Sequence, residues 1–397
     1  MLLVDQKADV LFSKIDFAEK KIKAISSPDE ILGTYIKDLT DWLNVLKDQV
    51  STAQNEFREF IEETNFSESD YVRDEAQKGL LKNMLRTYEE IEASFYLGVD
   101  TFLPLMPVWI HQRYNEDTKR GHKLLVDFIQ GLLRLSRIPE VMMTILGEAH
   151  ACLPLSWGNI MKHVVFVTYS EMESLRRWVL LTHEIGHAFY DLHFEEFNSS
   201  VIPQVIRKLV ETRPLNIGQR ELETVIYIWT RKWIPELVSD CFSVKTLGPP
   251  YAVQFMLLAL NSEPDRTDVS HPPFNLRVNF MMDTLESLAL PDFNIDFYRN
   301  VWNSYSRSIT RPSSRYILNE EVVEAALSGI DAVVRDTPIR TKWADILSAR
   351  ETLLAGNVPE KGLVSIVSAT ALIDQTINLA PIYKGLLERH TSYSDAP

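Results

Sequence analysis

The segment Leu181–His193 reads LTHEIGHAFYDLH and places three histidines and two acids within thirteen residues. His183 and His187 are four apart. On a helix that spacing leaves them about 40° apart around the axis and roughly 6 Å along it. Both imidazoles can then face one ion, and Glu184 sits beside the first of them. Zinc lowers the pKa of a bound water to about 7, and a neighbouring glutamate can accept its proton as it attacks a carbonyl. Leu175, Val179, Leu180, Ala188 and Phe189 make the surrounding helix largely apolar. A histidine buried in such a helix needs a partner, and a metal is one.

Zinc chemistry needs a third protein ligand and an open fourth position, and two residues are candidates. His193 completes the spacing of a metzincin motif, H-E-x-x-H-x-x-x-x-x-H, but Tyr190 stands where that motif has a glycine. If the helix continues, residue 193 lies about 240° around from 187 and faces away. Glu236 lies in WIPELVSD (233–240), which reads as a new helix with Pro235 in its first turn. Glu236 and Asp240 share a face, flanked by Trp233, Ile234, Leu237, Val238, Cys241 and Phe242. In zinc sites one such carboxylate ligates and another fixes a ligand histidine through its second ring nitrogen. A solvated acidic pair is the bland alternative, and a buried reduced thiol is the default for Cys241.

H-E-x-x-H followed by a helix bearing E-L-V-S-D resembles the gluzincin metallopeptidases, the thermolysin-like branch of the zincins. The resemblance implies His183, His187 and Glu236 as ligands of one zinc ion per chain. It also implies Glu184 as general base and Asp240 as the partner of a ligand histidine. Helices over about 201–211 and 219–232 fill the long gap between the two motifs. SHPPFNLR (270–277) resembles the H-P-P-x-x-x-R segment of many gluzincins. By that analogy His271 donates to a developing oxyanion, Arg277 orients the site or binds a carboxylate, and Asp268 holds His271. The alternative for His271 is an exposed residue ahead of a helix. His150 and His163 are expected to be structural or exposed. The resemblance covers roughly residues 140–290.

Helices must position these residues. Val4, Ala8, Leu11, Ile15, Ala18 and Ile22 step by four and three, as do Leu32, Ile36, Leu39, Leu43, Leu46 and Val50. Ser27, Pro28 and Glu30 offer a capping box between them. The pair is a helical hairpin that packs on the chain's own body or serves as a docking arm. Further helix is expected over 70–137, broken near 102–109. VMMTIL (141–146) and HVVFVTYS (163–170) are of strand length and β-branched, separated by Pro154 and Gly158. Zincins pair an extended peptide with an edge strand upstream of the zinc helix. The run 163–170 is in place to be that edge, or else an interior strand, and 153–159 is expected near the cleft. Helices resume at about 171, with turns at 248–250, 262–265 and 311–314, and the tail from 390 is expected to be disordered.

The expected fold class is α+β and predominantly helical: a zincin-like core with a small sheet over 140–290, flanked by helical regions 1–139 and 291–397. With 41 basic and 55 acidic residues the net charge is −14, which argues against nucleic acid or anionic lipid as partner. Two cysteines make no disulfide framework, and the first residues lack the pattern of a signal peptide. No run approaches the ~20 apolar residues of a membrane span. The expectation is a cytoplasmic zinc metallopeptidase acting on a peptide or protein, regulated by its helical flanks or a protein partner. The alternatives are a non-catalytic regulator on a zincin scaffold and a zinc hydrolase of a non-peptide amide or ester.

Overall fold

The computed structural model describes residues 3–25, 29–64, 75–115, 118–147, 150–157, 160–172, 174–260, 262–266, 268–307, 316–335, 340–374 and 377–394. The chain divides into two compact units. The first comprises Met1–Asn115, Val141–Ile145 and Leu153–Val164, and the second Glu116–Glu140, Leu146–Cys152 and Val165–Pro397. The chain is predominantly helical with one three-stranded sheet.

The first unit contains α1 (Leu3–Lys23), α2 (Glu30–Thr64), α3 (Glu75–Phe95) and α4 (Leu105–Tyr114). The stepped apolar positions of the sequence are its core: Leu11, Ile15, Ala18 and Ile22 of α1 and Leu32, Leu39, Leu43, Leu46 and Val50 of α2 are all buried. Asp29 caps α2, its Oδ1 accepting from Leu32 N at 3.0 Å, while Ser27 and Pro28 lie outside the described residues. A π turn at Tyr96–Asp100 lets Gly98 approach two indoles. A Cβ at Gly98 would lie 2.6 Å from Trp42 and 2.8 Å from Trp157, so only glycine fits. Tyr35, Phe102 and Trp157 pack ring against ring beside it.

The stretch Leu85–Tyr114 spans 30 residues and reaches a mean hydropathy of 1.3, so by length and composition it passes for a membrane span. Within the unit a π turn divides the stretch, and Phe102 and Trp109 on it are fully buried.

The strands are β1 (Met143–Gly147), β2 (Ala151–Trp157) and β3 (Ile160–Thr168), in the order β1–β3–β2. The run 163–168 is therefore interior, which corrects the edge reading. The reason is a third strand at 151–157, where the sequence suggests only a stretch punctuated by Pro154, with 153–159 near the cleft. Proline lacks the donor a central strand needs, but an edge strand tolerates it, and β2 is an edge.

The second unit holds α5 (Lys119–Leu135), α6 (Leu181–Leu192), α7 (Phe194–Glu211), α8 (Gln219–Ile228), α9 (Ile234–Leu247), α10 (Pro249–Ala259) and α11 (Phe274–Ser287). It continues with α12 (Ile295–Arg307), α13 (Glu320–Val334), α14 (Trp343–Leu354), α15 (Leu363–Ala371) and α16 (Ala380–Ser394). Residues 390–394 are thus helical rather than disordered, and the turn expected at 311–314 lies outside the described residues.

At the centre of this unit α9 is buried at every residue except Pro235. Its Ser239, Ser243 and Thr246 hydroxyls return to carbonyls four residues back, at 2.9, 2.7 and 2.9 Å, so a polar helix face survives burial. Pro235 cannot donate to residue 231 and its ring crowds that carbonyl. A π turn at Trp229–Trp233 leads into α9 at this point. Against α9 lies α6, and the two helices touch at Gly186 and Ser239.

A Cβ at Gly186 would stand 2.5 Å from Ser239 Cα and 3.0 Å from its carbonyl oxygen. Gly186→Ala gains about 1 kcal/mol of helix preference but must push two backbones apart. The expected outcome is a net loss of about 1–3 kcal/mol, seen as a lower midpoint in denaturant unfolding. An unchanged or raised midpoint would show that the two helices do not pack at backbone distance.

Candidate metal centre

The close approach of α6 and α9 brings His183, His187 and Glu236 together. One potential ligand atom from each lies within 4.8 Å of the others. His183 Nε2 is 3.2 Å from Glu236 Oε2, and His187 Nε2 is 3.4 Å from Glu236 Oε1. The two imidazoles stand nearly perpendicular, at 85°, with centroids 4.8 Å apart. Ligands about 2.1 Å from a tetrahedral zinc are separated by roughly 3.3 Å. The two nitrogen–oxygen separations, to different oxygens of Glu236, are near that value, and the three side chains form a group that could hold a metal ion.

The other ring nitrogen of His183 is occupied: Nδ1 is 3.0 Å from Asp240 Oδ1. Asp240 is completely buried and accepts further hydrogen bonds from Arg277 Nε at 2.6 Å, Arg277 Nη2 at 2.9 Å and Tyr251 Oη at 2.6 Å. Arg277 also reaches Glu236 Oε2 with Nη1 at 3.3 Å, and its guanidinium lies 4.5 Å from the centre of the Phe255 ring. Arg277 is itself buried.

Burial by itself would neutralise these groups, and their mutual charges outweigh it. His183 is pushed up to about 10 by Glu236 and Asp240. Glu236 is held far below the usual carboxylate range, chiefly by His183. Asp240 is held down at about 2, with Arg277 the main opposing charge, and Arg277 is raised in turn by Asp240. Burial and then the Asp240 carboxylate keep the Tyr251 phenol protonated.

A cavity of about 680 Å³ opens over this cluster. Its lining includes Glu184 and His183 from α6, Glu236 from α9, Tyr251, Phe255 and Leu258 from α10, and Phe274 and Arg277 from α11. His271 lines it as well, exposed, with Nε2 3.8 Å from Glu236 Oε2. Asp268 holds His271 through an intermediary: Ser270 Oγ donates to Asp268 Oδ1 at 2.5 Å and lies 2.8 Å from His271 Nδ1.

His193 is outside the cluster. It ends α6, stacks on Phe189 at 4.4 Å and pairs with Glu196 at 3.2 Å. His163 is buried, and its carbonyl accepts from Tyr35.

Sequence reasoning missed two residues. His150 lines the cavity, and its Nε2 is buried without a hydrogen-bond partner. Tyr251 touches both Asp240 and His183. The one sequence signal for Tyr251 is the G-P-P turn immediately before it.

Two outcomes test the ligand set. Wild type and His193→Ala should each carry about one zinc per chain by elemental analysis, and folded Glu236→Ala should lose it. Loss in His193→Ala instead would restore the metzincin-like arrangement. The second test follows from the proton on His183. A ligand nitrogen must be unprotonated, and this one holds its proton up to about pH 10. Metal and proton therefore compete, and raising pH favours the metal. Zinc affinity should tighten about tenfold per pH unit between roughly 7 and 9, and calorimetry in buffers of different ionisation enthalpy should read about one proton released. A pH-independent affinity would mean His183 is already neutral.

Comparison with protein-family models, with curated proteins and with solved structures gives no match for this chain.

Proposed function

We propose that this chain is a zinc metallopeptidase with a gluzincin-like site on a zincin-like core, hydrolysing peptide bonds with Glu184 as general base. The observation that carries the reading is the pair of nitrogen–carboxylate separations at Glu236, 3.2 and 3.4 Å, under an open cavity lined by Glu184. A zinc ion held by His183, His187 and Glu236 would supply Lewis-acid activation of water and of the scissile carbonyl.

The remaining steps belong to the chain's own side chains. Glu184, next to a ligand on α6, takes the proton of the attacking water and returns it to the leaving amine. His271 faces the same space. Its Nδ1 lies 2.8 Å from Ser270 Oγ, whose own hydroxyl is given to Asp268, and its Nε2 is the atom that would donate to a developing oxyanion. Arg277 and Asp240 hold His183 in place and keep excess charge from building up around the ligands. The intact Glu184 favours catalysis over a purely structural metal, which needs no base.

Localisation in the cytoplasm, a peptide or protein as substrate, and regulation by the helical flanks or a protein partner are parts of the same proposal. A cytosolic peptidase must avoid indiscriminate cleavage, and control by the helical flanks or a partner is one means.

Glu184→Gln keeps size and polarity but removes the base. It should retain zinc and fold while losing about 10²–10⁴-fold in kcat on a peptide library. A zinc-loaded Glu184→Gln protein that cleaves as well as wild type would sink the mechanism. Zinc-dependent cleavage of amide or ester model compounds, with no peptide cut, would redirect it to a non-peptide hydrolase.

A further inference from the structure

Tyr251 is fully buried, lines the cavity and holds its hydroxyl against the least exposed part of the charge network. Its Oη lies 2.6 Å from Asp240 Oδ1 and 3.3 Å from His183 Nδ1. A carboxylate is an acceptor only, so the phenol proton is spent on Asp240, and the oxygen lone pairs are left facing the imidazole. His183 Nδ1 thus looks at two acceptors, Asp240 Oδ1 at 3.0 Å and Tyr251 Oη at 3.3 Å. An unprotonated Nδ1 would set a lone pair against the ionised carboxylate, which Arg277 grips with Nε and Nη2. The arrangement is satisfied only with the proton on Nδ1.

We propose that Tyr251 is a positioning residue that, with Asp240, fixes the Nδ1–H tautomer of His183 and so leaves Nε2 free to ligate the metal. This rests on the metal reading of the site and adds to it a residue from a third helix. Local sequence explains how the residue arrives there. Gly248 has φ +70°, a conformation that costs glycine little. Pro249 and Pro250 then open α10, where missing N–H groups are tolerated. The reversal of direction brings Tyr251 back onto Asp240, eleven residues earlier in the chain.

The substitution that tests this is Tyr251→Phe, which keeps the ring against Phe255 and deletes one oxygen. Zinc affinity is read by competition with a chelator at fixed pH. Tyr316→Phe serves as a matched control, since it deletes a part-buried tyrosine hydroxyl that donates to Leu209 O at 2.8 Å on another face. In Tyr251→Phe the zinc dissociation constant should rise about 10-fold or more. In Tyr316→Phe it should stay within about twofold even if stability falls, because that hydroxyl does not touch the network.

The second readout is spectroscopic and begins with wild type. In zinc-loaded wild type labelled with ¹⁵N-histidine, His183 should show a protonated Nδ1 and a metal-shifted Nε2. In Tyr251→Phe the Nδ1 proton should exchange faster with solvent. A wild-type protein that takes up no zinc overturns the metal reading and this inference together. Zinc bound equally by wild type and Tyr251→Phe, with unchanged nitrogen signals, overturns the inference and leaves the metal reading standing. A metal on Nδ1 of His183 overturns it even if Tyr251→Phe fails to fold.

Discussion

Everything in the proposed site depends on how closely α6 and α9 approach. Two histidines on one helix and a carboxylate on another meet at ligand distance only if little side chain lies between the backbones. Gly186 supplies this on α6, between the histidines, and Ser239 on α9, between Glu236 and Asp240. The motif residues at the contact are therefore small for a mechanical reason. The i, i+4 pairs on either side of it, His183/His187 and Glu236/Asp240, then interlock across the same contact.

Close approach forces burial, and burial of charge is costly unless it is paired. The cluster contains Glu236 and Asp240 as anions, with Arg277 and His183 as cations, so it balances without a metal. That balance explains the directions in which His183, Glu236, Asp240 and Arg277 are shifted. Under the proposed metal reading, an ion bound at His183 would replace a proton there.

What was legible in the sequence was what a single helix encodes. His183 and His187 are four residues apart on one helix, with Glu184 between them, and Glu236 and Asp240 are four apart on another, so periodicity alone puts each i, i+4 pair on one face. The stepped cores of α1 and α2 were legible for the same reason. What was not legible depends on contacts across elements. Strand β2 was obscured by Pro154, which forbids a central strand but permits an edge one. The interior place of β3 followed from the missing β2. The cap of α2 is Asp29. The contact of Tyr251 with Asp240 exists only because a turn at Gly248 folds α10 back on α9. The imidazole of His150 reaches the cavity from the segment ahead of an edge strand, which no local pattern announces.

The C-terminal helices are bound to this logic as well. Lys245, near the end of α9, is buried and pairs with Asp331 of α13 at 2.8 Å. Gly329 on α13 lies where a Cβ would sit 3.3 Å from Val201 of α7. A lysine inside a helix that carries the metal-site carboxylates needs its counterion, because the charge left behind would be uncompensated in an apolar setting. A chain segment some ninety residues beyond Glu236 thus supplies the counterion for a buried charge on the helix on which Glu236 stands. The region after the site packs against the same core, α13 lying on both α9 and α7.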